Sequence, residues 1–140
     1  MQDHRTGTVT FIDVDGLAPP PGYSNVVDVR GGRLVFIAGQ AAFDESGAVV
    51  GTGDFEEQAD QVFRNLDAAL RAAACTPRDL IKLTVFLRDM STLPAYRTAR
   101  DRFFGSVSPP AKPAITLVEV SRLFTDDLLI EIEAIAAASD

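Results

Sequence analysis

Leu128-Leu129-Ile130-Glu131-Ile132-Glu133-Ala134-Ile135-Ala136 is the stretch on which the fold of this chain turns. Side chains alternate across an extended strand with a period of two. Leu128, Ile130, Ile132, Ala134 and Ala136 therefore share one face, while Leu129, Glu131, Glu133, Ile135 and Ala137 share the other. A carboxylate embedded in so apolar a strand is costly unless it meets water, a partner or a ligand. Two on one face mark a side of the sheet that borders a cleft or a subunit boundary. Function is expected there.

Working back from that strand, Ile115 to Val120 reads as another strand, entered through the proline loop Pro109-Pro110-Ala111-Lys112-Pro113. A helix is expected from about Thr92 to Phe104, with Pro94 tolerated in its first turn and Gly105 stopping it. Its stripe is Leu93, Tyr96, Ala99 or Arg100, and Phe103. Leu80 to Leu87 is a strand with Ile81, Leu83, Val85 and Leu87 on one face. Before it, Asp54-Phe55-Glu56-Glu57 resembles a capping box, with Asp54 as N-cap and Glu57 three positions on. The helix behind it carries Ala59, Val62, Phe63, Leu66, Ala69, Leu70 and Ala73 at helical spacing, and Pro77 marks its end.

Strands are also expected near Val9 to Ile12, Val26 to Val29 and Leu34 to Ala38, the last two separated by the hairpin signal Gly31-Gly32. Residues 15–24 form a loop rich in proline and glycine. Phe43 to Gly53 reads as a loop with a short edge strand at Ala48 to Val50. This order argues for an α+β layer: one sheet with two helices on one face. Leu34, Val35, Phe36 and Ile37 leave no polar side, and two helices cover only one side of a sheet. Another subunit is the economical cover for the second face, so a homo-oligomer is expected.

Composition sets the outer bounds. At 140 residues the chain is expected to form a single domain, 1–140. It lacks an apolar run of about 18 residues, so no membrane span is expected. MQDHRTGTVTF shows no apolar signal-peptide core. One cysteine, Cys75, rules out an internal disulfide and fits a reducing cytoplasm. Cys75 reads as a small buried filler and the one histidine, His4, as incidental, so no metal site is expected. With 20 acidic against 13 basic residues and a net charge of −7, the chain is ill suited to nucleic acid or anionic membranes. A small anionic metabolite answers to local charge and is not excluded.

Several segments together resemble the YjgF/RidA family of reactive-intermediate deaminases across roughly residues 17–137. They are PGYSNVV at 21–27, LVFIAGQ at 34–40, KLTVFLRDM at 82–90, PAITLVEV at 113–120 and IEIEAIA at 130–136. The resemblance implies a chorismate-mutase-like fold and a homotrimer whose sheets form a central barrel, with clefts between neighbouring subunits. It also implies hydrolysis of enamines and imines such as 2-aminoacrylate and 2-iminopropanoate, without metal or organic cofactor. That chemistry needs a grip on the substrate carboxylate, a proton donor or acceptor, and an oriented water.

Carried over by resemblance, the cleft-closing tyrosine falls on Tyr23 and the water-holding glutamate on Glu131. Gln40 and Gly39 fall in a strand-end element that borders the cleft. The family's arginine position is filled by Ile115, with Leu117 beyond it; an alternative register places Lys112 there, and Arg122 is a reserve cation. A hydrogen bond to a charged group contributes about 1.5–3 kcal/mol, so losing a two-point grip costs a factor of roughly ten to several hundred. A standard 2-iminopropanoate deaminase is therefore not expected.

Blander roles compete. Glu131 and Glu133 could pair with Arg122 at a subunit boundary, Tyr23 could anchor its loop, and Gln40 could satisfy loop backbone groups. Three classes remain: a hydrolase or deaminase of an imine, enamine or related metabolite; a non-catalytic trimer that binds a metabolite or regulates a partner; and an endoribonuclease. The acidic charge and the lack of a histidine pair or basic stripe disfavour the last.

Overall fold

The computed structural model describes residues 8–139, and His4 lies outside them. Six strands and two helices follow one another as β1 (Thr8–Ile12), β2 (Val26–Arg30), β3 (Arg33–Gln40), α1 (Phe55–Ala72), β4 (Leu80–Leu87), α2 (Leu93–Phe104), β5 (Ala114–Glu119) and β6 (Ile130–Ala138). A four-stranded mixed sheet has the order β3-β6-β4-β5, and β1 and β2 pair separately as an antiparallel ribbon. β6 runs antiparallel to both neighbours, whereas β4 and β5 are parallel and joined through α2. This is an α+β fold with two helices packed on a mixed sheet.

β6 shows why the sheet has two unlike faces. Ile130, Ile132, Ala134 and Ala136 are buried under the helices, together with Leu83, Val85 and Leu87 of β4. From α1, Ala59, Val62, Phe63, Leu66 and Leu70 meet them, as the helical stripe requires. Asp54 caps α1 by accepting a hydrogen bond from the Glu57 amide at 3.1 Å. On the opposite face Leu34 and Phe36 are 55% and 73% exposed. Within one chain that face is bare, with Leu34 and Phe36 beside the polar Lys82, Thr84 and Glu133.

The structure corrects three local expectations. Gly31-Gly32 does not close a hairpin, because β2 pairs with β1 and β3 pairs with β6. Gly32 instead lets the end of β6 approach: a Cβ there would stand 2.5 Å from the Ala138 carbonyl oxygen. No strand forms over Ala48 to Val50; a single bridge joins Phe43 to Val49, and Asp44 holds the loop by accepting from the Ser46 and Ala48 amides. The hydrogen bond donated by the Ser46 hydroxyl, together with those from the amides, lowers the Asp44 carboxyl below its ordinary value. Finally, α1 stops at Ala72, ahead of Pro77. Ala74 takes a left-handed φ of 56°, and Pro77 opens a separate 3₁₀ turn capped by Thr76 and Asp79.

On α2, both Ala99 and Arg100 are buried, so both alternatives for that stripe position turn inward. Arg100 keeps its charge paired through two contacts to Asp101 and stands 5.8 Å from the Tyr96 ring centre. The Tyr96 hydroxyl is buried with no hydrogen-bond partner. Burial raises its pKa to about 12, against the opposing charge of Arg100. In the unfolded chain this phenol ionises near pH 10. Above pH 10 the unfolded state therefore sheds a proton that the folded state retains, and stability falls by up to about 1.4 kcal/mol per pH unit until pH 12. Tyr96→Phe should flatten that part of a denaturation-versus-pH curve with no loss of stability at pH 7. An unchanged alkaline slope would assign the effect to another group.

Candidate functional site

Glu131 and Glu133 lie on the sheet face that turns away from the helices, as their parity in β6 dictates. Glu131 is half-buried, Glu133 exposed. Register places Glu131 opposite Phe86 of β4. On the other side of β6, the β3 ladder is interrupted: Ile37 pairs with Ala134 but Gln40 with Ile132, so β3 carries one residue more than its partner. Such a bulge bends the strand and re-aims side chains, and Gly39 sits within it. The Glu131 side chain crosses at this point. A Cβ on Gly39 would stand 3.0 Å from the Glu131 carboxyl carbon and 3.1 Å from its Oε1. Glycine thus leaves the room the carboxylate occupies.

A pocket of about 550 Å³ opens beside Glu131, walled by Gly39 and Gln40, the loop Ala41 to Glu45, Asn65 and Ala69 of α1, and Phe124. Asn65 fixes that loop to α1 by donating to the carbonyls of Ala41 and Phe43, each at 3.0 Å. Gln40 donates to the Ala38 carbonyl at 3.0 Å, a local backbone role that leaves its oxygen on the pocket wall. Among the described residues three carboxylates line this space, those of Asp44, Glu45 and Glu131, and no lysine or arginine does. No hydrogen bond or ion pair within the described residues holds the Glu131 carboxylate. Arg122 pairs with Asp126 at 3.3 Å.

Tyr23, Ile115 and Leu117 are not part of this pocket. In the parallel β4–β5 ladder Ile115 pairs with Leu83 and Leu117 with Val85, which places both on the helix side of the sheet against the core. Tyr23 is half-buried in a loop tied to the start of β5, where the Ser24 amide and hydroxyl donate to the carbonyls of Pro113 and Lys112. Gly22 packs on Arg100 so closely that a Cβ there would meet its Nη2 at 2.5 Å. Lys112 is exposed. One chain therefore divides the singled-out residues into two groups. Gly39, Gln40 and Glu131 gather at the β3 edge, and Tyr23, Ile115 and Leu117 gather along β5, the opposite edge. With strands about 4.8 Å apart, β5 is about 14 Å from β3 and about 10 Å from β6, the strand that carries Glu131.

Asn65 and Phe124 were not anticipated as pocket walls. Phe124 is 86% exposed, and nothing in Leu123-Phe124 shows which of the two turns outward. A second hollow of about 670 Å³ lies between the helices over Phe63 and Phe103, but its three arginines are engaged: Arg71 with Asp67, Arg102 with Asp60, and Arg64 by donating to the Gln61 side-chain carbonyl at 3.1 Å. Cys75 is buried. Among the described residues no group of three or more His, Cys, Asp or Glu is placed to hold a metal ion, and no helix is long and apolar enough to cross a membrane.

The family model described as Endoribonuclease L-PSP matches residues 15–138, which takes in every strand from β2 to β6 and both groups of singled-out residues. The chain belongs to the YjgF/RidA family. A RutC family protein of Pyrococcus horikoshii is 42% identical over 108 residues, covering 77% of this chain and 82% of that one. A mouse protein named 2-iminobutanoate/2-iminopropanoate deaminase is 33% identical over 114 residues, covering 81% of this chain and 79% of its own. In three dimensions the chain is similar to YyfB, a Rid-family protein of unknown function from Yersinia pestis, with a TM-score of 0.82 at 31% identity. That match covers 92% of this chain and 98% of YyfB. YjgF/RidA membership thus accounts for the two helices packed on a mixed sheet.

Proposed function

We propose that this YjgF/RidA protein hydrolyses a small imine or enamine in clefts between the subunits of a homotrimer. The observation that carries this reading is the division of the site. Glu131, Gly39 and Gln40 stand at the β3 edge of one chain, while Tyr23 and Ile115 stand at the β5 edge. A ring that sets the β3 edge of one subunit against the β5 edge of the next brings the two groups together. It also covers Leu34 and Phe36.

In the proposed reaction the Glu131 carboxylate accepts a proton from a water as its oxygen bonds to the imine carbon. The C=N electron pair moves to nitrogen, which takes up a proton. The resulting carbinolamine then expels ammonia and leaves the carbonyl product, so imine and water give carbonyl and ammonia. Tyr23 of the adjoining subunit closes the cleft. No step requires a metal or organic cofactor. The mouse deaminase supports this class of chemistry.

Ile115 and the three carboxylates of the pocket make a poor seat for the carboxylate of 2-iminopropanoate. Turnover of that compound, generated in situ by an amino-acid oxidase, should be slow, whereas an imine without a carboxylate on the reacting carbon should be turned over faster. The protein should sediment as a compact trimer of 15.0 kDa chains. A monodisperse monomer at micromolar concentration would remove the clefts. Ligand binding without acceleration of any imine would leave a metabolite-binding trimer instead of an enzyme.

A further inference from the structure

Phe124 is the most exposed large apolar side chain of the described residues. A single exposed phenylalanine is ordinary on a protein surface. This one is not isolated. It shares the walls of the pocket of about 550 Å³ with Glu131, and Phe43, Ala68 and Ala69 line the same hollow. Its turn is fixed from behind: Leu123 packs against the core, and the Leu128 amide donates to the Thr125 carbonyl at 3.2 Å. The side chain of buried Gln58 also holds the Asp127 carbonyl and the Leu129 amide. A turn already ordered in this way pays little further backbone entropy when a ligand packs on its ring.

The polar side chains of the pocket offer a ligand less than their number suggests. The Asn65 amide nitrogen donates to two carbonyls, and its Oδ1 accepts from Gln61 at 2.9 Å. Asp44 Oδ1 accepts from the Ser46 amide, the Ser46 hydroxyl and the Ala48 amide. Gln40 donates to the Ala38 carbonyl. Beside Glu131 there remain mainly acceptors, which repel an anion, and the apolar wall. A hollow of this size falls within the range of about 300–1,000 Å³ that holds a drug-sized molecule, more than a three-carbon imine fills.

We infer that Phe124 is a specificity-determining residue that packs on a bulky apolar group of the substrate while the imine carbon sits beside Glu131. The substrate class is therefore an imine or enamine that carries a large aliphatic or aromatic substituent. This inference rests on the imine-hydrolysing cleft proposed above and adds the residue that selects among its substrates.

Equilibrium binding of two stable ketones, of the kind that imine hydrolysis releases, to the assembled protein provides the test. 4-Phenyl-2-butanone should bind wild type roughly ten- to a hundredfold more tightly than 2-butanone, which lacks the ring. Phe124→Ala should cut that ratio by roughly fivefold or more, Phe124→Leu should keep most of it, and Glu131→Gln should retain it. Equal affinities in wild type, or a ratio unchanged in Phe124→Ala, would overturn the assignment. So would no binding of either ketone at millimolar concentration. Dissociation of the assembly in Phe124→Ala, read by sedimentation, would make Phe124 a subunit contact and overturn it too. Because binding is read without turnover, a ratio that depends on Phe124 in a protein with no imine hydrolysis would support this assignment and refute the proposed reaction alone.

Discussion

Glu131→Gln is expected to reduce kcat for imine hydrolysis by roughly a hundredfold or more, within the range that a positioned general base contributes. The substitution preserves size and shape beside Gly39, where a Cβ would stand 3.1 Å from Oε1, so the bulge of β3 need not move. It removes only the ability to take a proton from water. No cation or hydrogen-bond donor of the described residues depends on the carboxylate, so thermal stability should stay within about 0.5 kcal/mol of wild type. Ammonia release and a melting curve together check the result. Unchanged kcat would exclude Glu131 as the base, and a large fall in Tm with lost activity would point to a structural carboxylate.

Gln58→Leu should be the most damaging single change away from the site. Gln58 is fully buried near the start of α1. Its Nε2 donates to the Asp127 carbonyl at 2.7 Å and to the Gly51 carbonyl at 3.2 Å, while its Oε1 accepts from the Leu129 amide at 2.8 Å. Gly51 keeps a second donor, the Asp54 amide, so leucine would orphan chiefly the Asp127 carbonyl and the Leu129 amide. Each buried backbone group left unpaired costs about 1–3 kcal/mol, for a loss of about 2–6 kcal/mol. Against a typical total of about 5–15 kcal/mol, that is a large share. Denaturant titration should show a lower midpoint. A loss below about 1 kcal/mol would mean that water replaces the side chain.

Period-two alternation makes the two faces of β6 readable before any coordinates. Ile130 and Ile132 had to face a core, and Glu131 had to face something else. The family was legible too, because its motifs recur in order from PGYSNVV to IEIEAIA. What stayed hidden depends on long-range pairing. Gly31-Gly32 looks like a hairpin only if adjacent strands pair, but β3 pairs with a strand nearly a hundred residues later. Gln58 reads as an ordinary polar residue of a first helical turn, and only the return of Asp127 and Leu129 to its side makes it a clip. The division of the site across opposite sheet edges is likewise invisible, because motif order says nothing about which strand ends up at an edge.

The position of β6 between β3 and β4 has a consequence for biosynthesis. Until residues 130–138 leave the ribosome, β3 and β4 have no strand to join them, and Val35, Ile37, Leu83 and Val85 have no β6 beside them. Synthesis delivers the middle of the sheet last. Both helices can form early on local contacts, but the slot they roof over remains empty, and the edges of β3 and β4 stay open to other chains. A nascent chain of this fold therefore waits, with its strand edges exposed, for the segment that also brings Glu131 into place.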